Sequence, residues 1–328
     1  MNPMPLRRLA AAGALLLVLA ACSGSGGGDD RSANDRSADD LAVQVASFDL
    51  ATGAPTRFIV GLVTADQRLL GYGDVDMRFS YIGTKEGGAD PTPFGPVVKG
   101  SYLPIHGSVV PSPPPATPQI VAASDTRGVY AAQTTFDKAG FWEVEVTAEV
   151  EGEGRSGKGA FAVNPTHAVP GPGDQALATE TLTLTTPDVP RPAIDSRAGS
   201  GEIPDPDLHR TTIAASLAAK RPVVAVFATP VYCTSRFCGP VTDMVDELAH
   251  QYADRADFVH VEIWRDFQSK TVNKSAADWV LRDDQINEPW VFVIGADGRI
   301  DHRFDNVVTK GELEPLLKAL PVIGPAAG

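Results

Sequence analysis

Cysteine is nearly missing: three occur in 328 residues, at Cys22, Cys233 and Cys238. So few exclude a disulfide-dense scaffold and a multi-cysteine zinc protein. Basic residues are also short, 28 Lys and Arg against 41 Asp and Glu, for a net charge of −13 and a pI near 4.9. Phosphate binding needs a basic footprint, so nucleic acid is excluded as a partner, and the acidity reads as solubility. The apolar run Leu9 to Ala21 has 13 residues, short of the roughly 20 that cross a hydrocarbon core. What is present is an ordinary globular balance, 43% apolar and 21% charged, which excludes a collagen-like or wholly disordered chain. At roughly 150 residues per domain the length suggests about two domains.

Arg7 and Arg8 precede the apolar run, which ends Leu19-Ala20-Ala21-Cys22. Residues 1–21 therefore read as an export signal. The ending resembles the bacterial lipobox, whose cysteine is lipidated and becomes the first residue of the mature chain. The resemblance implies an acyl (palmitate) anchor on Cys22, the membrane as a partner through that lipid, and an extracytoplasmic location at a bacterial cell membrane. A plain secretory signal is the alternative. Residues 22–40 contain no apolar residue larger than alanine after the cysteine, the composition of a flexible tether. Disulfides persist in that compartment.

From 41 to 165 the pattern is β. Apolar and polar residues alternate in Arg57–Val63, Val75–Tyr81 and Phe141–Val146, separated by turn signals such as Gly71, Gly73 and Gly140. Short strands without a long 3.6-residue period predict an all-β antiparallel sandwich. Val129 to Val150 reads as a hairpin, and with Ala139-Gly140-Phe141-Trp142 it resembles immunoglobulin-like domains of some bacterial copper and respiratory-assembly lipoproteins. Nine prolines between Pro91 and Pro118 predict a long loop. His106 and His167 have no second ligand at metal-like spacing and read as surface histidines. The domain reads as a spacer or binding module. Residues 166–207, with seven prolines from Pro170 to Pro206, read as a linker with one strand at Thr181–Leu184.

Residues 208–322 change character. Val223–Phe227 is a continuous apolar run, the mark of a strand covered on both faces. Val241–Tyr252 has helical spacing. With short helices at Thr211–Lys220 and Ala276–Leu281, strands at Phe258–Trp264, Trp290–Ile294 and Arg299–Phe304, and a closing helix at Lys310–Leu320, the order from Val223 is β-α-β-α-β-β-α. Cys233 and Cys238 follow the first buried strand, and Pro289 stands directly before Trp290–Ile294. That combination resembles the thioredoxin fold of membrane-tethered thioredoxins, over about a third of the chain. The resemblance implies an α/β domain, a catalytic role for Cys233, Cys238 and Pro289, a Cys233–Cys238 disulfide, and a proline facing the cysteines.

Four residues separate the cysteines, where the family has two. In a regular helix, positions five apart are roughly 8–9 Å apart and about 140° out of phase, whereas a disulfide needs about 4.4–6.8 Å. If they pair, both cannot lie within one undistorted helix. Cys233 is expected on the loop and Cys238 at the helix N-terminus, where the macrodipole stabilises a thiolate, with Arg236 able to lower either thiol further. Precedent favours Cys233 as nucleophile and helix-end acidity favours Cys238; both stay open.

Tyr232 stands where the family has tryptophan, no carboxylate interrupts Val223–Phe227, and Glu288 occupies the position before the proline. The expected activity is thiol–disulfide exchange with thiols or disulfides of exported proteins. A non-enzymatic binding or scaffold lipoprotein with a structural disulfide is the main alternative. Thr229-Pro230-Val231-Tyr232-Cys233 with Cys238 resembles Q-type peroxiredoxins, which implies peroxidase activity. A cysteine pair with His260 or His302 resembles Sco-type chaperones, which implies Cu(I) delivery. No cofactor is implied, and the primary reading assigns no metal. Trp264–Phe267 reads as a packed loop or the wall of a groove, and Glu262 is given no role.

Overall fold

The computed structural model describes residues 41–324 except 86, 87, 89, 90, 123, 125 and 126. The expected signal 1–21, tether 22–40 and lipidated Cys22 lie outside the described residues. Among the described residues no helix is long and apolar enough to cross a membrane.

The period-2 segments form nine strands: β1 (Leu41–Val45), β2 (Thr56–Thr64), β3 (Leu69–Gly71), β4 (Asp74–Gly83), β5 (Val98–Pro104), β6 (Gln119–Val121), β7 (Gly128–Thr134), β8 (Gly140–Val150) and β9 (Glu153–Val163). They make one nine-stranded sheet in the order β6-β3-β2-β7-β5-β4-β8-β9, with β1 paired on β2. Every pairing in it is antiparallel. The sheet bends back so that Phe58, Val60, Met77, Phe79, Val144 and Phe161 share one core. Phe58 stands 5.0 Å from the Phe79 ring and 4.8 Å from that of Phe161. Glycine permits the closing approach of β9 to β1: a Cβ at Gly157 would collide with the Leu41 carbonyl.

The expected hairpin from Val129 to Val150 is not formed. β7 pairs with β2 and β5, while β8 pairs with β4 and β9. Alternation reports which face is buried, not which strand is the neighbour. The expected loop between Pro91 and Pro118 also holds a strand, β5, which sits inside the sheet. Three of its nine prolines precede the strand, Pro104 is the strand's last residue and five follow it, so the ladder from Val98 to Leu103 keeps its donors.

The second sheet is mixed. Its strands are β10 (Val223–Ala228), β11 (Asp257–Glu262), β16 (Trp290–Ile294) and β17 (Ile300–Asp305), in the order β11-β10-β16-β17. Two small hairpins lie between β11 and β16, β12–β13 (Trp264–Asp266, Thr271–Val272) and β14–β15 (Leu281–Arg282, Gln285–Ile286). Four helices complete the described chain: α1 (Ile213–Ala218), α2 (Cys238–Tyr252), α3 (Lys274–Val280) and α4 (Lys310–Ala319). β10 runs parallel to β11 and antiparallel to β16, and all six of its residues are buried. Val224, Val226 and Ala228 pack with α2 and α4. Val223, Ala225 and Phe227 face the opposite way, against Ile213, Ala276 and Trp279. The continuous apolar run is thus accounted for by a strand covered on both faces.

Residues 166–207 are packed rather than free. Val169 and Ala176 join the core of the second sheet, and three single 3-10 turns begin at Arg191, Ser196 and Pro206. No strand forms at Thr181–Leu184. Polar contacts tie each sheet to segments flanking the other. Arg57 on β2 pairs with Glu312 at 2.8 Å and donates to the Val307 carbonyl at 2.6 Å. Arg303 on β17 pairs with Asp49 at 2.8 Å. Burial pushes the Asp49 carboxyl up, but His167, Arg303 and the backbone N–H groups of Val169 and Ala168 hold it well below the usual carboxylate range.

Candidate functional site

β10 delivers the chain to a nine-residue loop, Thr229 to Phe237, that ends at the first residue of α2. Cys233 lies on this loop and is half-buried, whereas Cys238 opens α2 with no exposure. The two form a disulfide with Cα atoms 6.0 Å apart, inside the range such a bond requires. The spacing closes because Arg236 takes a left-handed backbone, φ 63°, turning the chain just before the helix. Cys238 is therefore at the positive end of a 15-residue helix, where a thiolate formed on reduction is stabilised.

Ser235 ties this loop together. Its Oγ lies 3.3 Å from Cys233 Sγ, accepts from the Phe237 N–H at 3.4 Å, and approaches the Glu288 carbonyl at 3.5 Å. Pro289, whose peptide bond with Glu288 is cis, is buried on that neighbouring segment. Phe237 turns the other way and packs with Ile59, Ile105 and Val129 of the first sheet. Tyr232 stacks on Phe267 with ring centroids 3.8 Å apart, and Lys270 Nζ sits 3.4 Å from the Phe267 centroid. The Trp264–Phe267 segment, expected as a packed loop or a groove wall, is strand β12 and the residue after it, with Phe267 packed against the residue preceding Cys233.

The feature that sequence reasoning passed over is acidic. A carboxylate oxygen of Glu288 and both sulfurs lie within 4.8 Å of one another. Burial, together with the charge of Glu262, pushes the Glu288 carboxyl up to about 8, against smaller pulls from the Thr229 N–H and His260. Its Oε2 has no hydrogen-bond partner among the described residues. Glu262 lies at the end of β11, 2% exposed, and its Oε2 accepts from the Ser196 N–H at 2.8 Å. Val223–Phe227 carries no carboxylate; Glu262 comes from the end of β11 and Glu288 stands two residues before β16. The signal in sequence was Glu288 itself, an unusual residue before the proline.

The histidines weighed as partners of the pair lie elsewhere. His260 clusters with His209, Asp195 and Asp205, and His302 is exposed on β17. The Thr229 hydroxyl is buried and approaches Ser196 Oγ at 3.5 Å. No protein-family model and no curated protein matches this sequence.

Proposed function

We propose that the chain is an extracytoplasmic thiol–disulfide exchange protein of thioredoxin-like fold, anchored through lipid on Cys22, with an immunoglobulin-like sandwich as its spacer. The observation that carries this reading is the asymmetry of the pair. Cys233 is half-buried on a loop, Cys238 is fully buried at a helix N-terminus, and an acid that keeps its proton near neutrality stands beside both sulfurs.

In the reducing direction, the Cys233 thiolate attacks one sulfur of a partner disulfide. A new S–S bond forms, the partner bond breaks, and the departing thiolate takes the proton of the Glu288 carboxyl. Ionised Glu288 then accepts the proton of the Cys238 thiol. The Cys238 thiolate attacks Cys233 Sγ, forming the internal disulfide and releasing the second partner thiolate, which is protonated by solvent. Two protein thiols are oxidised and one partner disulfide is reduced. The Ser235 hydroxyl, 3.3 Å from Cys233 Sγ, can donate to the thiolate and favour its charged form.

The test is a trapping experiment on the full chain. After reduction, limiting iodoacetamide should label Cys233 before Cys238, and Cys238→Ser should accumulate a mixed disulfide with oxidised glutathione at Cys233. A pair that resists reduction, or a variant that forms no adduct, would leave a scaffold protein with a structural bridge.

A further inference from the structure

A second cluster lies beneath the loop. Asp195 and Asp205 precede the 3-10 turns at Ser196–Ala198 and Pro206–His209, His209 ends the latter, and His260 is on β11. These four residues come from positions up to 65 apart in sequence, yet none is more than 2% exposed. His260 Nδ1 stands 3.3 Å from His209 Nε2 and 3.4 Å from Asp195 Oδ2. His209 Nε2 stands 3.4 Å from Asp205 Oδ1 and 3.9 Å from Asp195 Oδ2. With metal–ligand bonds of about 2.0–2.1 Å, a tetrahedral Zn2+ holds its nitrogen and oxygen ligands roughly 3.3–3.4 Å from one another. Three of these four separations lie at that spacing and the fourth, between His209 and Asp195, is 3.9 Å.

Hydrogen bonding sharpens the point. His260 Nε2 lies 3.2 Å from the Ala228 carbonyl, which can only accept, so Nε2 carries a proton. In the neutral ring Nδ1 then presents a lone pair to Asp195 and His209. A backbone carbonyl on the remote nitrogen is the usual outer partner of a metal-bound histidine. Among the described residues, Asp205 Oδ1, in a side chain 2% exposed and directed into the cluster, has no hydrogen-bond donor, and His209 Nδ1 has no partner. Arg197 also reaches both carboxylates: its Nη2 is 2.6 Å from Asp205 Oδ2, the oxygen away from His209, and 2.6 Å from Asp195 Oδ2, the oxygen that also faces the histidines. The same guanidinium also pairs with Asp243 at 2.7 Å, so the carboxylates outnumber the positive charge beside them.

We propose that His209, His260, Asp195 and Asp205 form a divalent-cation site of the Zn2+ class that clamps residues 195–209 to β11 beneath the cysteine loop. Two imidazole nitrogens and two carboxylate oxygens suit Zn2+ better than a soft ion such as Cu(I). The clamp reaches the loop through Ser196, whose Oγ accepts from the Val231 N–H at 3.2 Å. The site stands whether or not the pair is redox-active, though His260 also faces the Glu288 carboxyl.

The experiment is to refold the full chain, with its disulfide intact, from chelator-treated urea in the presence of ZnCl2 or CoCl2. Elemental analysis after desalting should give one Zn2+ per chain, and Zn2+ should raise the unfolding midpoint. The Co2+ form should show the intense visible bands of a tetrahedral site without thiolate-to-cobalt charge transfer. Losing an outer partner costs about 10–100-fold in metal affinity, so His209→Gln and the isosteric Asp205→Asn should each lose at least about 100-fold. No retained metal, an octahedral Co2+ spectrum, or unchanged affinity in both variants would overturn the proposal. So would a His260 imidazolium that persists with Zn2+ present, because the cluster would then be an ion-pair network closed by a proton.

Discussion

Glu288→Gln should make the protein more stable, and by an amount that depends on pH. The native carboxyl, pushed up to about 8 from an ordinary 4.5, is roughly 90% protonated at pH 7, whereas in the unfolded chain it is ionised. Between about pH 4.5 and 8 the native state therefore binds more protons, and stability falls as pH rises through that window. The groups facing this carboxyl are Glu262, His260 and the Thr229 N–H, while the bridged sulfurs do not titrate. A span of about 3.5 pH units corresponds to about 5 kcal/mol at most. Partial solvent access at this half-buried side chain reduces the expectation to about 2–3 kcal/mol. Glutamine keeps the shape and is neutral throughout. Urea unfolding of the oxidised chains should show a stability gap near zero at pH 4.5, widening to about 2–3 kcal/mol in favour of the variant by pH 9. Other titrating groups largely cancel in the difference between the two proteins. A gap that stays flat with pH would refute the assignment of a protonated Glu288 beside the disulfide.

Asp49→Asn should act in the opposite sense. The native carboxylate is held low by His167, Arg303 and two backbone N–H groups, so its contribution is present at neutral pH and is lost as pH falls below about 4. Removing it should cost about 2–4 kcal/mol at pH 7, with the gap narrowing toward pH 2, read by urea titration at both values. Phe237→Ala withdraws the ring that packs on Ile59, Ile105 and Val129. It should cost about 1–3 kcal/mol and speed alkylation of reduced Cys238, measured against the unchanged chain. Ser235→Ala should raise the pH midpoint of Cys233 alkylation, because the thiolate loses a hydroxyl donor 3.3 Å away, and an unchanged midpoint would assign Ser235 to the loop alone.

Much of the second sheet was legible because its elements are signalled locally. Val223–Phe227 could only be a strand covered on both faces, and Trp290–Ile294 after Pro289 was placed to the residue. The distance a disulfide can span showed that a bonded pair could not share one undistorted helix, and Cys238 alone is in α2, as its first residue. Partnership was less legible. The alternation of Val129–Val150 identified two strands but not that β5 and β4 separate them. Proline density concealed β5, whose own residues up to Leu103 contain none. The acid beside the sulfurs and the His–Asp cluster were hidden for a different reason. Glu262, Glu288, Asp195, Asp205, His209 and His260 converge only through tertiary packing, and Asp195 and Asp205 lie in a stretch whose composition read as a linker.

The most direct measurement is the equilibrium of the Cys233–Cys238 pair with glutathione buffers of graded potential, the reduced fraction being read by mass after alkylation. Reversible titration above about −300 mV, accompanied by turnover of a model disulfide, is the outcome expected of an exchange centre. A potential below about −300 mV with no turnover is that of a permanent bridge and would contradict the proposed function.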